Sequence, residues 1–292
     1  MSKCYLCPRM CGADRERGDR GVCAQGSDIR ISRAALHRYE EPPISGSRGS
    51  GTVFFSGCTL RCVFCQNKDI SRGVNVGRAI SPLELADIFL KLEAEGAHNI
   101  NLVTPTHFLD GIEKALKEAK PRLSIPVVYN TSGYERVESL RRLEGLIDIY
   151  LPDFKYASGE LSAKYSSAPD YAEVASEAIC EMFRQTGTYE YGEDGLLKKG
   201  LVVRHLVLPS CRRDSMQVLD ILATLVPTNE VLLSLMSQYT PEFYEGDLTE
   251  LTRRVTSFEY NSVLEHAQRL GFDGFMQSRA SASAVYTPDF NV

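Results

Sequence analysis

TVFFSGCTLRCVFCQN, residues 52–67, joins a short apolar run to three cysteines spaced Cys58-x3-Cys62-x2-Cys65. The run is rich in β-branched and aromatic residues and stops at a glycine, which predicts a buried strand ending in a turn. Thiolates suit zinc or iron–sulfur centres. A structural zinc site is closed by four ligands, and His98 has no ligand-like spacing to this loop. An iron–sulfur cubane takes one cysteine per iron, so three cysteines leave one iron open to another ligand. A zinc knuckle borrowing a distant fourth ligand is the alternative reading of the same triplet.

Downstream the chain alternates. SPLELADIFLKLEAEG (81–96) reads as a helix: Ser81 caps it, Pro82 suits its first position, Glu84 completes a capping box, and Gly96 can end it. Leu85, Ile88, Phe89 and Leu92 share one face. INLVT, IPVVYN, LIDIYL, LVVRHLVL and EVLLSLM read as strands, with FDGFMQ as a last one. Between them come helices in FLDGIEKALKEAK, near YERVESLRRL, over 169–187 with Ala175, Ile179 and Met182 on one side, and in TSFEYNSVLEHAQRLG, where Thr256 and Glu259 repeat the capping box. YEYGEDGLLKKG, 189–200, reads as an inserted hairpin or loop. Apolar strands alternating with amphipathic helices predict a parallel sheet with crossover helices, and six or seven such units favour a partial or complete β/α barrel over a doubly wound sheet. Sites in either architecture gather at the carboxyl ends of the strands. The expected division is a cysteine-rich module and linker over 1–50, a barrel over 51–280 and a tail over 281–292.

The 292 residues hold 33 Lys and Arg against 38 Asp and Glu, a net charge of −5 that disfavours nucleic acid as the main partner. No apolar stretch approaches the roughly 20 residues that cross a bilayer, which argues against a membrane partner. MSKCYLCPRMCG shows no apolar secretory segment, so the cytosol is the expected compartment. Seven of the nine cysteines fall within the first 65 residues, in two tight groups, which in a cytosolic chain favours metal over disulfides. Cys4, Cys7, Cys11 and Cys23 can close a tetrahedral shell around zinc, stabilising a module too small for its own core. A second iron–sulfur cluster is the rival reading.

GCTLRCVFCQN, with Phe64 before the third cysteine, resembles the signature of radical S-adenosylmethionine (SAM) enzymes. That resemblance implies a partial (β/α)6-type barrel. It also implies a [4Fe–4S] cluster on Cys58, Cys62 and Cys65, whose open iron is chelated by SAM. An electron from the cluster then cleaves SAM to methionine and a 5′-deoxyadenosyl radical that abstracts hydrogen from a substrate. More narrowly, the chain is similar to activating enzymes of glycyl radical enzymes such as pyruvate formate-lyase, in the form that adds an N-terminal cysteine module. By that likeness Phe64 and Asn67 flank the third cysteine near the adenine, and Asp153 and Lys155 of DFK contact SAM. Asn130 and Thr131 of YNTSG help hold the SAM carboxylate and a monovalent cation, and Arg204 helps hold SAM. Many radical SAM enzymes carry Gly-Gly-Glu after the second strand; LVTPTH stands there instead, leaving Thr104 and Thr106 as polar acceptors. The implied partners are a glycyl radical enzyme or another peptide as substrate, and a flavodoxin or ferredoxin as electron donor. Another radical SAM reaction on a peptide or small molecule, and a zinc-scaffolded interaction protein without catalysis, are the alternatives. His107 and His205 are candidate proton donors or substrate contacts, Gln238 and Tyr239 candidate pocket residues, Cys211 a candidate redox or substrate-binding group, and Cys180 a core residue.

Overall fold

The computed structural model describes residues 3–74 and 76–276; the expected tail at 281–292 lies outside them. In chain order come β1 (Ile29–His37), α1 (Pro42–Ser45), β2 (Ser50–Phe55), α2 (Lys68–Ser71), β3 (Arg78–Ile80), α3 (Pro82–Ala94), β4 (Ile100–Val103), α4 (Leu109–Ala119) and β5 (Val127–Thr131). They continue with α5 (Val137–Arg141), β6 (Ile149–Pro152), α6 (Gly159–Ser166), α7 (Tyr171–Thr186), β7 (Glu190–Tyr191), β8 (Leu197–Leu206), α8 (Arg212–Leu225), β9 (Leu232–Met236), α9 (Ser257–Arg269) and β10 (Asp273–Met276).

The strands form one sheet in the order β10-β9-β8-β6-β5-β4-β2-β1-β3, parallel from β2 to β10, with β1 and β3 antiparallel at one edge. Among the described residues the sheet does not close on itself, so the architecture is a partial barrel. Capping explains the long helices locally: Ser81 with Glu84, and Thr256 with Glu259, each make the reciprocal pair of bonds expected of a capping box. Leu85, Phe89 and Leu92 of α3 are buried in the outer core with Ile112 and Leu116 of α4. The segment 189–200 is a hairpin built on β7 and β8.

Several features differ from the reading of the sequence. Helices α6 and α8 were not anticipated, although Val218, Leu219 and Leu222 give α8 a buried face. Cys180 is exposed rather than part of the core, because Ile179 and Met182 take the inward face of α7 and a step of about 100° carries Cys180 off it. The sheet also crosses the expected end of the cysteine-rich segment: β1 pairs with β2 from Ile31↔Phe55 to His37↔Ser50.

Because β1 runs against β2, it delivers the chain to the amino-terminal ends of the parallel strands. Segment 38–45 then crosses beneath the barrel. Asn99, just before β4, donates to the Ile44 carbonyl at 2.7 Å. The Ile44 side chain packs among Val128, Ile149, Leu151, Val202 and Leu232. The stretch EPPIS, which reads as linker, is therefore a floor.

The amino-terminal segment docks on the opposite, upper rim. Arg9 donates to the Thr59 and Ser166 carbonyls, both at 2.8 Å, and to that of Ser167, and lies over the Tyr134 ring. Ser139 donates to the Leu6 carbonyl at 2.7 Å. Gly57 has φ +85°, and a Cβ there would stand 2.6 Å from the Cys23 carbonyl oxygen, so only glycine lets the segment lie against the loop that carries Cys58.

Candidate active site

Strand β2 ends in Phe55, and the loop that follows turns at Arg61, whose φ is +58°. The turn brings Cys58, Cys62 and Cys65 to the wall of one cavity of about 250 Å³ at the upper end of the barrel. Each sulfur accepts a hydrogen bond: Cys58 Sγ from the Leu60 N–H at 3.4 Å, Cys62 Sγ from the Ser166 hydroxyl at 3.0 Å, Cys65 Sγ from the Ser71 hydroxyl at 3.4 Å. Burial pushes the Cys58 thiol up to about 12, and the nearby Cys65 adds to it; Cys65 is pushed up in the same way, by burial and then by Cys62. Added positive charge would favour the ionised form of Cys58 and Cys65.

Phe64 is buried beside them, edge-on to Tyr165 and Tyr239. It lines the cavity with Asn67, Thr104, Asn130, Thr131, Asp153, Lys155, Arg204, Gln238 and Tyr239. Asp153 sits between two cations: Arg204 Nε is 2.9 Å from Oδ1 and Lys155 Nζ 2.5 Å from Oδ2. Burial pushes the Asp153 carboxyl up, but Arg204 and then Lys155 outweigh it and hold it below the ordinary carboxylate range. Arg204 also donates to Asn130 Oδ1 at 2.6 Å. Gly133 makes this wall possible, since its φ is +76° and a Cβ would meet the Asp153 carbonyl oxygen at 2.1 Å.

Several expected residues stand elsewhere. Thr106 turns away from the cavity into a 3-10 turn, and its hydroxyl donates to the buried Glu135 carboxylate, as does that of Thr131. His107 is buried with Nε2 against the Ser56 carbonyl at 2.7 Å, and burial pushes it down to about 4. His205 points its Nδ1 at the Phe154 carbonyl, again 2.7 Å, and burial pushes it down to about 4 as well. Both rings brace backbone. Cys211 lies outside the cavity, buried and pushed up to about 11 by burial.

Glu40 and Glu41 enter the cavity from the floor, where sequence reasoning saw only a linker. Asn101 Nδ2 donates to Glu40 Oε1 at 3.0 Å, and Arg204 Nη1 is 3.6 Å from Glu40 Oε2. Glu135 was missed too; buried under Thr131, its carboxyl is pushed up to about 7 by burial, against the two threonine hydroxyls. None of the three lies in a periodic or motif context that marks it.

The sequence matches the radical SAM superfamily over residues 52–188. An uncharacterized protein of Methanocaldococcus jannaschii is 30% identical over 94% of this chain and 76% of its own length.

Residues 52–188 form a radical SAM superfamily domain.

Among solved structures, a radical SAM methyltransferase of Sphaerobacter thermophilus superposes with TM-score 0.53 at 15% identity, over 80% of this chain and 69% of its own. SuiB of Streptococcus suis, solved with its precursor peptide SuiA, superposes with TM-score 0.50 at 14% identity, over 76% of this chain. This chain spans less than half, 46%, of SuiB. At these identities the likeness is one of fold. The radical SAM domain implies a [4Fe–4S] cluster and SAM, and the residues fit: three thiols on the wall of one cavity, each with a hydrogen-bond donor, suit a cationic cluster. Cys4, Cys7, Cys11 and Cys23 are also neighbours: burial pushes Cys7 up to about 12, with Cys23 and Cys4 adding, and Cys23 feels Cys4 and Cys11. Among the described residues no group of three or more His, Cys, Asp or Glu side chains has the geometry of a single-ion site. Among them, too, no helix is long and apolar enough to cross a membrane.

Proposed function

We propose that this protein is a SAM-cleaving radical enzyme whose cluster is held by Cys58, Cys62 and Cys65. The observation that carries this reading is that three thiols, an aromatic wall and an Asp–Lys–Arg set open onto one recess. Cys58, Cys62 and Cys65 would hold the cluster, which, once reduced by an external donor, would supply the single electron that cleaves bound SAM to methionine and a 5′-deoxyadenosyl radical, the cluster being reoxidised and the radical taking a hydrogen atom from substrate. Phe64 and Asn67 flank the adenine, while Asp153, Lys155 and Arg204 form a fixed array of charge that orients the polar groups of SAM. Thr104 and Thr131 add acceptors at the rim, and Asn130 and Thr131 are the residues for a monovalent cation.

The motif likeness to glycyl radical enzyme activases supports a glycyl residue of a protein as the hydrogen donor; a different peptide or a small molecule uses the same machinery. The four amino-terminal cysteines hold zinc, or a second cluster that relays electrons from a flavodoxin or ferredoxin. The setting we infer is an anaerobic or oxygen-protected cytosol. The test is anaerobic reconstitution with iron and sulfide, then reduction with SAM present. The protein should turn brown and release 5′-deoxyadenosine, and Cys62→Ala should lose both. A colourless, zinc-only protein that leaves SAM intact refutes the reading and favours a non-catalytic scaffold. Cys7→Ala should loosen the amino-terminal segment if its metal is structural, and stop electron delivery in a folded protein if it is a relay.

A further inference from the structure

Below the rim the barrel holds a second polar layer. Asn101 stands two residues before the end of β4 and Asn130 one before the end of β5, which sets this layer up to about 7 Å below the strand tops. Glu40 and Glu41 rise into it from the floor, meeting Asn101, Asn130 and Arg204. The facing charges do not balance: Glu40, Glu41 and Asp153 oppose Arg204 and Lys155.

The hydrogen bonding is incomplete as well. Glu41, 5% exposed, has Oε2 without a partner, Asn101, 0% exposed, leaves Oδ1 unpaired, and the Ser234 hydroxyl stands beside the Glu41 carboxyl. Buried groups of this kind are costly when unmet, so two in one layer, beside an excess of carboxylates, point to a ligand. An ammonium carries three donors and one positive charge. Phe54, Leu206 and Met236 line the same cavity and offer an apolar path for an alkyl chain, which a hydrated inorganic ion would not use.

We propose that the layer formed by Glu40, Glu41, Asn101 and Ser234 binds the protonated amine of the substrate, leaving the carbon chain to run upward past Phe54 and Met236 toward the cysteine loop. The proposal rests on the radical SAM reading for its direction, from amine below to reacting carbon above. Burial pushes both glutamic carboxyls up while Arg204 pulls them down, and a ligand cation adds to that pull.

The experiment compares binding of n-butylammonium and n-butanol to the anaerobically reconstituted protein by saturation-transfer NMR titration. Wild type should bind n-butylammonium at least tenfold more tightly, and Glu41→Gln should lose that preference. Equal binding of the two probes by wild type, an unchanged preference in a folded Glu41→Gln, or displacement of n-butylammonium by an equal concentration of potassium would each overturn the proposal. Should Glu41→Gln fail to fold, the wild-type comparison and Glu40→Gln decide it. Acetyl-Gly-Lys-Gly-amide carries the same arm on a peptide; tighter binding than n-butylammonium assigns the amine to a peptide side chain, weaker binding to a free amine. Wild-type 5′-deoxyadenosine release is recorded on the same sample, so loss of SAM cleavage with intact amine preference fails the reaction reading alone.

Discussion

Arg204→Met is the most informative change to the barrel. It keeps a linear side chain but removes a cation that is 2.9 Å from Asp153 and 3.6 Å from Glu40, and that also donates to Asn130. Losing one member of a buried ionic set costs about 3–5 kcal/mol; with Lys155 still paired to Asp153, about 3 kcal/mol is expected at pH 8.5. The cost should depend on pH. Glu40 and Glu41 have raised folded-state values, so whatever stability they contribute is present below the unfolded value near 4.3 and is lost as pH rises through the folded one. Without Arg204 they rise further, and that loss deepens. Asp153 is depressed, so it stabilises above its unfolded value; without Arg204 that contribution shrinks. The Glu40 and Glu41 loss grows with pH, whereas the Asp153 loss is complete above its unfolded value near 3.9, so the variant should lose less at pH 5.5 than at pH 8.5. Urea unfolding followed by circular dichroism, on samples of matched cluster content, measures both values. An equal loss at the two pH values would show that the guanidinium acts through packing alone and would refute the charge argument.

Three further perturbations follow from the same contacts. Gly133→Ala forces an alanine to φ +76° and against the Asp153 carbonyl, so it should destabilise by about 3 kcal/mol or more and weaken SAM binding measured by equilibrium dialysis; a wild-type melt would sink this account. Glu135→Gln should flatten the pH dependence of stability, since a carboxyl raised to about 7 loses on the order of 3 kcal/mol as pH climbs from 4.5 to above 7; an unaltered slope in urea titrations contradicts it. Arg9→Met removes donors to Thr59, Ser166 and Ser167, so limited trypsin digestion should cut within residues 11–27 several times faster, while an unchanged rate means the segment is held by other contacts.

The parts legible in the sequence are those set by neighbours a few residues away. Ser81 with Glu84, Thr256 with Glu259, and the cysteine triplet carry their meaning within one or two turns of chain, and the structure shows both capping boxes. The apolar strands were legible because burial on both faces leaves runs with no polar break. What stayed hidden depends on distant pairing. Glu40 acquires its role from Asn101, Asn130 and Arg204, and a turn following Tyr39 gives no period to read. Thr106 looked equivalent to Thr104 in sequence, yet the 3-10 turn at Thr106–Phe108 rotates its hydroxyl onto Glu135. Cys180 was misplaced because its helix face was judged by residue type and not by angle.

The floor segment also sets an order of events during synthesis. Residues 40–45 leave the ribosome with β2, long before Arg204 of β8 and Ser234 of β9 exist to meet them. Until those strands arrive, two carboxylates are held in water beside a half-built sheet, and hydration of those acids resists early collapse onto the base. Sealing the lower mouth thus becomes a late act of folding, made when the carboxyl-terminal strands swing in and bring the guanidinium. A nascent chain stalled before residue 204 should therefore keep its barrel base open to solvent exchange, however complete its cysteine loop.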